Sequence, residues 1–226
     1  MRVTAERKRE TRRTILQSAL ELFEHKGFEQ TTTRHIAASA DLAVGTLFNY
    51  FPSKEAIAVD LVVTALSGLE SSEDRAPRGD ESLEESLFAF IMAGLARAER
   101  RRSLVATALP VLSEPSVANS FFAADGEVET PARSFQRRHL DAVVALLRRH
   151  GAPMTVESDA ILLHLYWSLY LGALSFWASD QSPGCEDTLA VVDRLTRVFA
   201  RAALTDQRQE RPPEHENGIE SKGGVE

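Results

Sequence analysis

Apolar residues recur along this chain at spacings of three and four, the period of one helix face, and no strand-like alternation is sustained anywhere. The first helix is predicted over Ala5 to His25, with Ile15, Ala19, Leu22 and Phe23 inward and Gly27 as its stop. Two short helices follow. Thr31 to Thr33 supply hydroxyls that can cap a start, Ile36, Ala37 and Ala40 form one apolar face, and Asp41-Leu42 break the pattern. The second short helix is expected from Ala43 to Tyr50, ending before Pro52. On its wheel Leu47 and Phe51 point one way with Tyr50 at their flank, and Gly45, Thr46, Phe48 and Asn49 point the other.

A longer helix is predicted from the Ser53 cap through Ile57, Leu61, Val62 and Leu66, decaying into the polar segment Ser71 to Asp80, which reads as a loop. Beyond it the pattern predicts helices over Ser82 to Arg97, Val128 to His150, Val156 to Ser179 and Asp187 to Leu204, with a broken region from Arg102 to Val117. The last carries Leu189, Val192, Leu195, Val198, Phe199 and Ala202 on one stripe. The tail Asp206 to Glu226 has almost no apolar content and is expected to be disordered.

Two helices joined by a tight turn, the second presenting a glycine, a short hydroxyl, a ring and an amide, suit a reading head for a DNA major groove. Asn49 is best equipped to read a base, because its amide can bond adenine N6 and N7 together; Thr46 can bond phosphate or touch a thymine methyl, and Phe48 offers apolar contact.

The stretch from about Glu10 to Leu61 resembles the DNA-binding domain of the TetR (AcrR-like) transcriptional regulators. The residues that carry the likeness are Gly27-Phe28, Thr31 to Thr33, Ile36-Ala37, Gly45 to Phe51 and Ser53 to Glu55. The resemblance implies an all-α fold: an N-terminal three-helix head with a helix-turn-helix, joined by a long helix to a C-terminal helical ligand-binding and dimerisation domain. It implies that Thr33, Arg34, Tyr50 and Lys54 contact phosphates, and that Val44, Gly45, Thr46, Phe48 and Asn49 face the groove. The chain departs from the family pattern in three places: Asp41 stands where glycine is common, Ala43 where a Ser or Thr cap is usual, and Phe48 where tyrosine is usual. The expected organisation is a basic arm over 1–9, the DNA-binding domain over 10–70 with its motif at about 33–52, a regulatory and dimerisation domain over 80–205, and the tail over 206–226.

Charge is divided to match. The formal net charge is −7, yet residues 1–54 hold six Arg and three Lys against five Glu and one Asp, a balance of +3 that leaves −10 for the remainder. The basic cluster Arg2, Arg7, Lys8, Arg9, Arg12 and Arg13 reads as a flexible phosphate-contacting arm. The run Arg97, Arg100, Arg101 and Arg102 could receive an anion, but reads better as a solvated cap on a helix end.

A length of 226 residues, 43% of them hydrophobic, allows a small head and a larger body. The single cysteine, Cys185, cannot form an internal disulfide, and nothing after Met1 resembles a signal core, so a cytoplasmic setting is expected. Ala160 to Ala178 is apolar enough to raise a membrane question; its His164, Tyr166, Ser168, Tyr170, Ser175 and Trp177 favour a buried helix. Because it is apolar nearly all round, it needs cover on several sides. The resemblance supplies that cover as a homodimer pairing the last two long helices, with two heads spaced about 34–36 Å apart on an inverted-repeat operator.

Phe88, Met92, Phe121, Phe122, Tyr166, Trp167 and Tyr170 are the candidate lining of an apolar effector pocket, core packing being the stronger reading residue by residue. The histidines are scattered, and there is neither a phosphate-cradling glycine loop nor a nucleophile elbow, so no metal, cofactor or catalytic residue is expected. The expected function is a sequence-specific, ligand-released repressor, not an enzyme. The alternative is a helical-bundle enzyme or small-molecule carrier that does not bind DNA.

Overall fold

The computed structural model describes residues 4–68, 81–114, 129–152 and 159–209, with side chains to residue 204. Every regular element among them is a helix. The elements are α1 (Ala5–Lys26), α2 (Thr33–Ser39), α3 (Val44–Phe48), α4 (Lys54–Ser67), α5 (Leu83–Ala98), α6 (Val105–Leu112), α7 (Pro131–Arg149), α8 (Ala160–Ser179) and α9 (Glu186–Gln209), with 3-10 turns at Glu99–Leu104 and Pro183–Cys185.

Local chemistry sets the helix starts. The hydroxyls of Thr4, Thr32, Ser53, Ser82 and Thr130 each accept the backbone N–H three residues on, at 3.2 to 3.4 Å. Such a bond satisfies one of the N–H groups that a helix start leaves without a partner. Thr32 and Ser82 form reciprocal capping boxes with His35 and Glu85. Gly27, at φ 80°, stops α1.

The head is α1 to α3 closed by the first turns of α4. Ile15, Ala19, Phe23, Ile36, Ala37, Leu47, Phe51 and Ile57 are buried together. α4 then runs on into the body, where it packs against α5, α6 and α7, while α9 packs on α5 and α8. One continuous apolar core therefore extends from the head into the body along α4.

Three expectations are corrected. Residues 5–9 of the supposed arm form the first turn of α1, because the Thr4 cap and Glu6 favour helix and no breaker follows before Gly27. The region expected to be broken holds α6, which buries Val105, Ala108 and Leu112 at helical spacing even though it contains Pro110. The last helix continues to Gln209, past the expected start of the tail at Asp206. Phe121, Phe122, the 71–80 loop and the tail from 210 lie outside the described residues.

Candidate nucleic-acid interface

The turn between α2 and α3 depends on Asp41, which adopts φ 55°. The N–H of Leu42 donates to the Ala37 carbonyl at 2.9 Å and that of Asp41 to the Ala38 carbonyl at 3.2 Å, a Schellman-type ending. Asp tolerates this left-handed backbone better than most residues, which is how the turn forms without glycine. Just beforehand, Thr31 is fully buried and donates its hydroxyl to the Gly27 carbonyl at 2.8 Å, tying the loop after α1 to α2.

α3 is held by Leu47 and Phe51, both buried, with Val44 and Tyr50 half-buried against the same core. Gly45, Phe48 and Asn49 are exposed, and Thr46 is partly so. Phe48 leaves 47% of its surface in solvent, an unusual placement for a phenyl ring and the more telling here because no hydroxyl accompanies it. A Cβ built on Gly45 meets nothing within 4 Å, so the fold itself has no need of glycine there. Ala43 caps α3 without a side-chain hydrogen bond. Arg34 is exposed and Thr33 half-buried at the start of α2, on the rim of the same surface.

Lys54 is differently placed. Its ammonium donates to the Phe28 carbonyl at 3.0 Å and sits 4.3 Å from the centre of the Phe28 ring, stapling α4 to the loop after α1. Arg12, placed by sequence among the phosphate-contacting residues, is turned inward. It lies over the Phe51 ring at 4.8 Å and pairs with Asp60, which is buried on α4. Burial holds the Asp60 carboxyl above the usual carboxylate value; the Arg12 charge and hydrogen bonds from Arg12 and Thr64 pull it down without prevailing. Sequence reasoning missed this pair, although a lone carboxylate inside Ile57-Ala58-Val59-Asp60-Leu61-Val62 is a signal for a buried partner. Arg7, Lys8, Arg9 and Arg13 stay exposed on α1.

In the body, the arginine run divides into separate tasks. Arg100 forms a two-bond pair with Glu24 of α1, at 3.0 and 2.9 Å, linking body to head. Arg102 donates to the carbonyls of Trp177 and Asp180 at the C-terminus of α8, and Arg97 donates to the Leu66 carbonyl at the C-terminus of α4, 3.2 Å away. The solvated cap expected at the end of their own helix is not what forms: Arg97 and Arg102 instead close the C-termini of α4 and α8.

Tyr166, Trp167 and Tyr170 are buried in one ring cluster with Phe135 and His139. His139 Nε2 is 2.9 Å from the Tyr166 hydroxyl, and burial depresses the imidazole to a pKa of about 3, so it is neutral. Burial also pushes both tyrosine hydroxyls up. Phe88 lies elsewhere, on an open groove of about 700 Å³ between α5 and α9 that Glu84, Leu189, Asp193 and Arg197 also line, and Met92 is half-buried. Of the candidate pocket residues, Phe88 is therefore set apart from Tyr166, Trp167 and Tyr170. Among the described residues no cluster of His, Cys, Asp or Glu could hold a metal ion.

Residues 15–61 match the model for bacterial regulatory proteins of the tetR family. The chain is 32% identical over 203 residues to the HTH-type transcriptional repressor KstR of Mycobacterium tuberculosis, covering 90% of this chain and 84% of the relative. It is 33% identical over 181 residues to KstR of Mycolicibacterium smegmatis, covering 79% and 81%. Among solved structures, a TetR transcriptional regulator from Rhodococcus aligns with a TM-score of 0.59 at 20% identity over 89% of this chain and 99% of the other. FadR of Thermus thermophilus, a TetR-family repressor determined in complex with lauroyl-CoA, aligns at 0.59 with 25% identity over 83% and 92%. With the family's head, its helical body and relatives that are repressors rather than enzymes, this chain belongs to the TetR family of DNA-binding transcriptional regulators.

Proposed function

We propose that the protein is a homodimeric, cytoplasmic repressor that binds an inverted-repeat operator through α3 and the start of α2, and that a small molecule entering the body releases it. The observation that carries this reading is the exposed face of α3, where Gly45, Phe48 and Asn49 are open to solvent. Thr33, Arg34, Thr46 and Tyr50 flank that face and suit phosphates. Val44 is half-buried and serves mainly to seat the helix. Lys54 reaches a phosphate only by loosening its hold on the Phe28 carbonyl, so its contribution to DNA affinity is smaller than sequence suggested.

Dimerisation is supported by α8. Opposite its buried face, Ile161, Leu165, Leu169, Gly172 and Phe176 recur every three or four residues, and Ile161 is 83% exposed. Nothing lies within 4 Å of a Cβ built on Gly172, which leaves room for a partner helix to approach closely. On α9, Val198 is also 52% exposed. α8 is also long and apolar enough to cross a membrane, but its other face is filled by the ring cluster of a helical core, as in a soluble bundle.

The test is a titration of labelled duplexes selected from a random pool by the full-length protein. Affinity is expected to fall steeply with salt, with Asn49→Ala relaxing sequence preference and Arg34→Ala lowering the salt slope by about one. Recovery of no preferred inverted repeat at low salt rejects the reading. Leu165→Glu is expected to yield a monomer by sedimentation; a dimer that persists removes α8 as the interface.

A further inference from the structure

Arg97 is held differently from its neighbours in the arginine run. Its Nη2 donates to the Leu66 carbonyl, its Nε is buried without a hydrogen-bond partner, and no carboxylate among the described residues lies within ion-pair distance. Its stem occupies the space a Cβ on Gly68 would fill, so the last turn of α4 and the guanidinium are in intimate contact. From the other side Arg138 of α7 donates to the Ser67 hydroxyl at 3.3 Å. Two arginines of the body therefore grip the end of the helix that begins in the DNA-binding head.

Arg97 also faces the interior. Phe90, Gly94 and Arg97 share one side of α5 by their spacing, and the Phe90 ring lies 4.9 Å from His139 in the ring cluster. The positive charge of Arg97 acts on the Tyr170 hydroxyl, although burial is the larger influence there. Arg97 is thus a half-buried cation with one hydrogen bond among the described residues, on the α5 face that carries Phe90. A guanidinium has five N–H donors in a planar fork, matched to a carboxylate or a phosphate.

We propose that Arg97 receives the anionic group of an amphiphilic effector, a carboxylate or phosphate carried on an apolar chain that lies along Phe90, and that binding draws Arg97 from the Leu66 carbonyl and frees the end of α4. The proposal rests on the effector-released repressor reading and adds the effector's chemical class and the residue through which it acts. The coupling is a change of orientation: turning the fork toward an anion beside Phe90 rotates the guanidinium away from the Leu66 carbonyl. The ligand consequently binds the two states of α4 unequally, as any effector that shifts an equilibrium must.

The test uses the full-length protein on its selected operator, followed by fluorescence anisotropy, with laurate, lauroyl-CoA, coenzyme A and dodecanol as probes. Wild type is expected to be released by laurate or lauroyl-CoA at a concentration about tenfold or more below that needed for dodecanol. Release by laurate assigns a carboxylate as the anion; release by lauroyl-CoA alone, with coenzyme A inert, assigns the phosphates. Arg97→Gln removes the bond to the Leu66 carbonyl as well as the fork, so operator binding is expected to weaken without effector, and the complex that remains is expected to be released by laurate or lauroyl-CoA with no advantage over dodecanol; in Arg138→Gln the advantage is expected to remain. If Arg97→Gln does not fold, Arg97→Lys, which keeps the charge but loses the fork, is expected to show a reduced advantage. An undiminished advantage in whichever Arg97 variant is read, or equal action of dodecanol on wild type, or no release by any probe, overturns the proposal. Failure to select an operator at all would instead reject the repressor reading beneath it.

Discussion

Gly45→Ala separates what the fold needs from what DNA needs. Gly45 is the second residue of α3, its φ is not in the left-handed region, and a Cβ there meets nothing within 4 Å. The methyl group is therefore neither strained nor crowded within the protein. Removing a glycine from such a helical position is worth about 0.5–1 kcal/mol, mainly through the smaller entropy of the unfolded chain. For a chain of this size that corresponds to a rise in melting temperature of about 1–4 °C. On DNA the sign reverses. The methyl projects from the exposed face of α3 between Phe48 and Asn49 and holds the helix away from the base edges, and loss of one good base contact weakens binding by about 1–3 kcal/mol, about thirtyfold at the midpoint. The salt slope stays unchanged, because no phosphate contact is removed. Thermal unfolding and operator anisotropy on the same preparation check both signs. A variant that melts higher but binds the operator as well as wild type would refute the approach of α3 at Gly45, and one that melts lower would refute the account of the local helix.

Ala43→Ser gives α3 the cap hydroxyl it lacks, whose oxygen accepts from the Thr46 N–H as in the five capped helices, and is expected to stabilise the protein by about 1 kcal/mol in urea unfolding. Arg12→Ala leaves the Asp60 carboxylate in the core without its cation. Since Arg12 is itself partly exposed, the loss is expected at about 1–3 kcal/mol, below the figure for a fully buried pair, and it should shrink as the pH is lowered and Asp60, held above the usual carboxylate value by burial, protonates. A loss that does not change with pH assigns the effect to packing on Phe51 instead. His139 is held neutral with a folded-state pKa of about 3, below the 6.5 of a free imidazole, so its contribution to stability is complete above pH 6.5 and is lost as pH falls toward 3. Urea unfolding between pH 7 and 5 should show up to one extra proton taken up by the unfolded chain, a slope approaching 1.4 kcal/mol per pH unit, and His139→Gln should remove it.

Local chemistry made the head legible. The spacing of Ile36, Ala37 and Ala40, the stop at Gly27, the Ser53 cap and the break at Asp41 each act within one or two helical turns, so they can be read from neighbouring residues alone. The same holds for the faces of α3, with Leu47 and Phe51 buried and Phe48 and Asn49 exposed. α6 escaped because Pro110 argues for a break, while its stabilising partners, α4 and α8, are distant in sequence.

What the sequence by itself determined is thus an all-helical chain, the reading head and the surface that head presents, because helix period and capping are short-range. Only the tertiary structure decided what the charged and aromatic side chains do. Arg12 meets an aspartate 48 residues away, Lys54 a carbonyl 26 residues back, Arg97 the end of α4, and Arg102 the end of α8. Tyr166, Trp167 and Tyr170 close on His139 and Phe135 rather than opening with Phe88. A helix period fixes which side chains share a face, but the partner that face meets depends on how whole helices pack, and long side chains such as arginine reach whichever carbonyl or carboxylate that packing brings near.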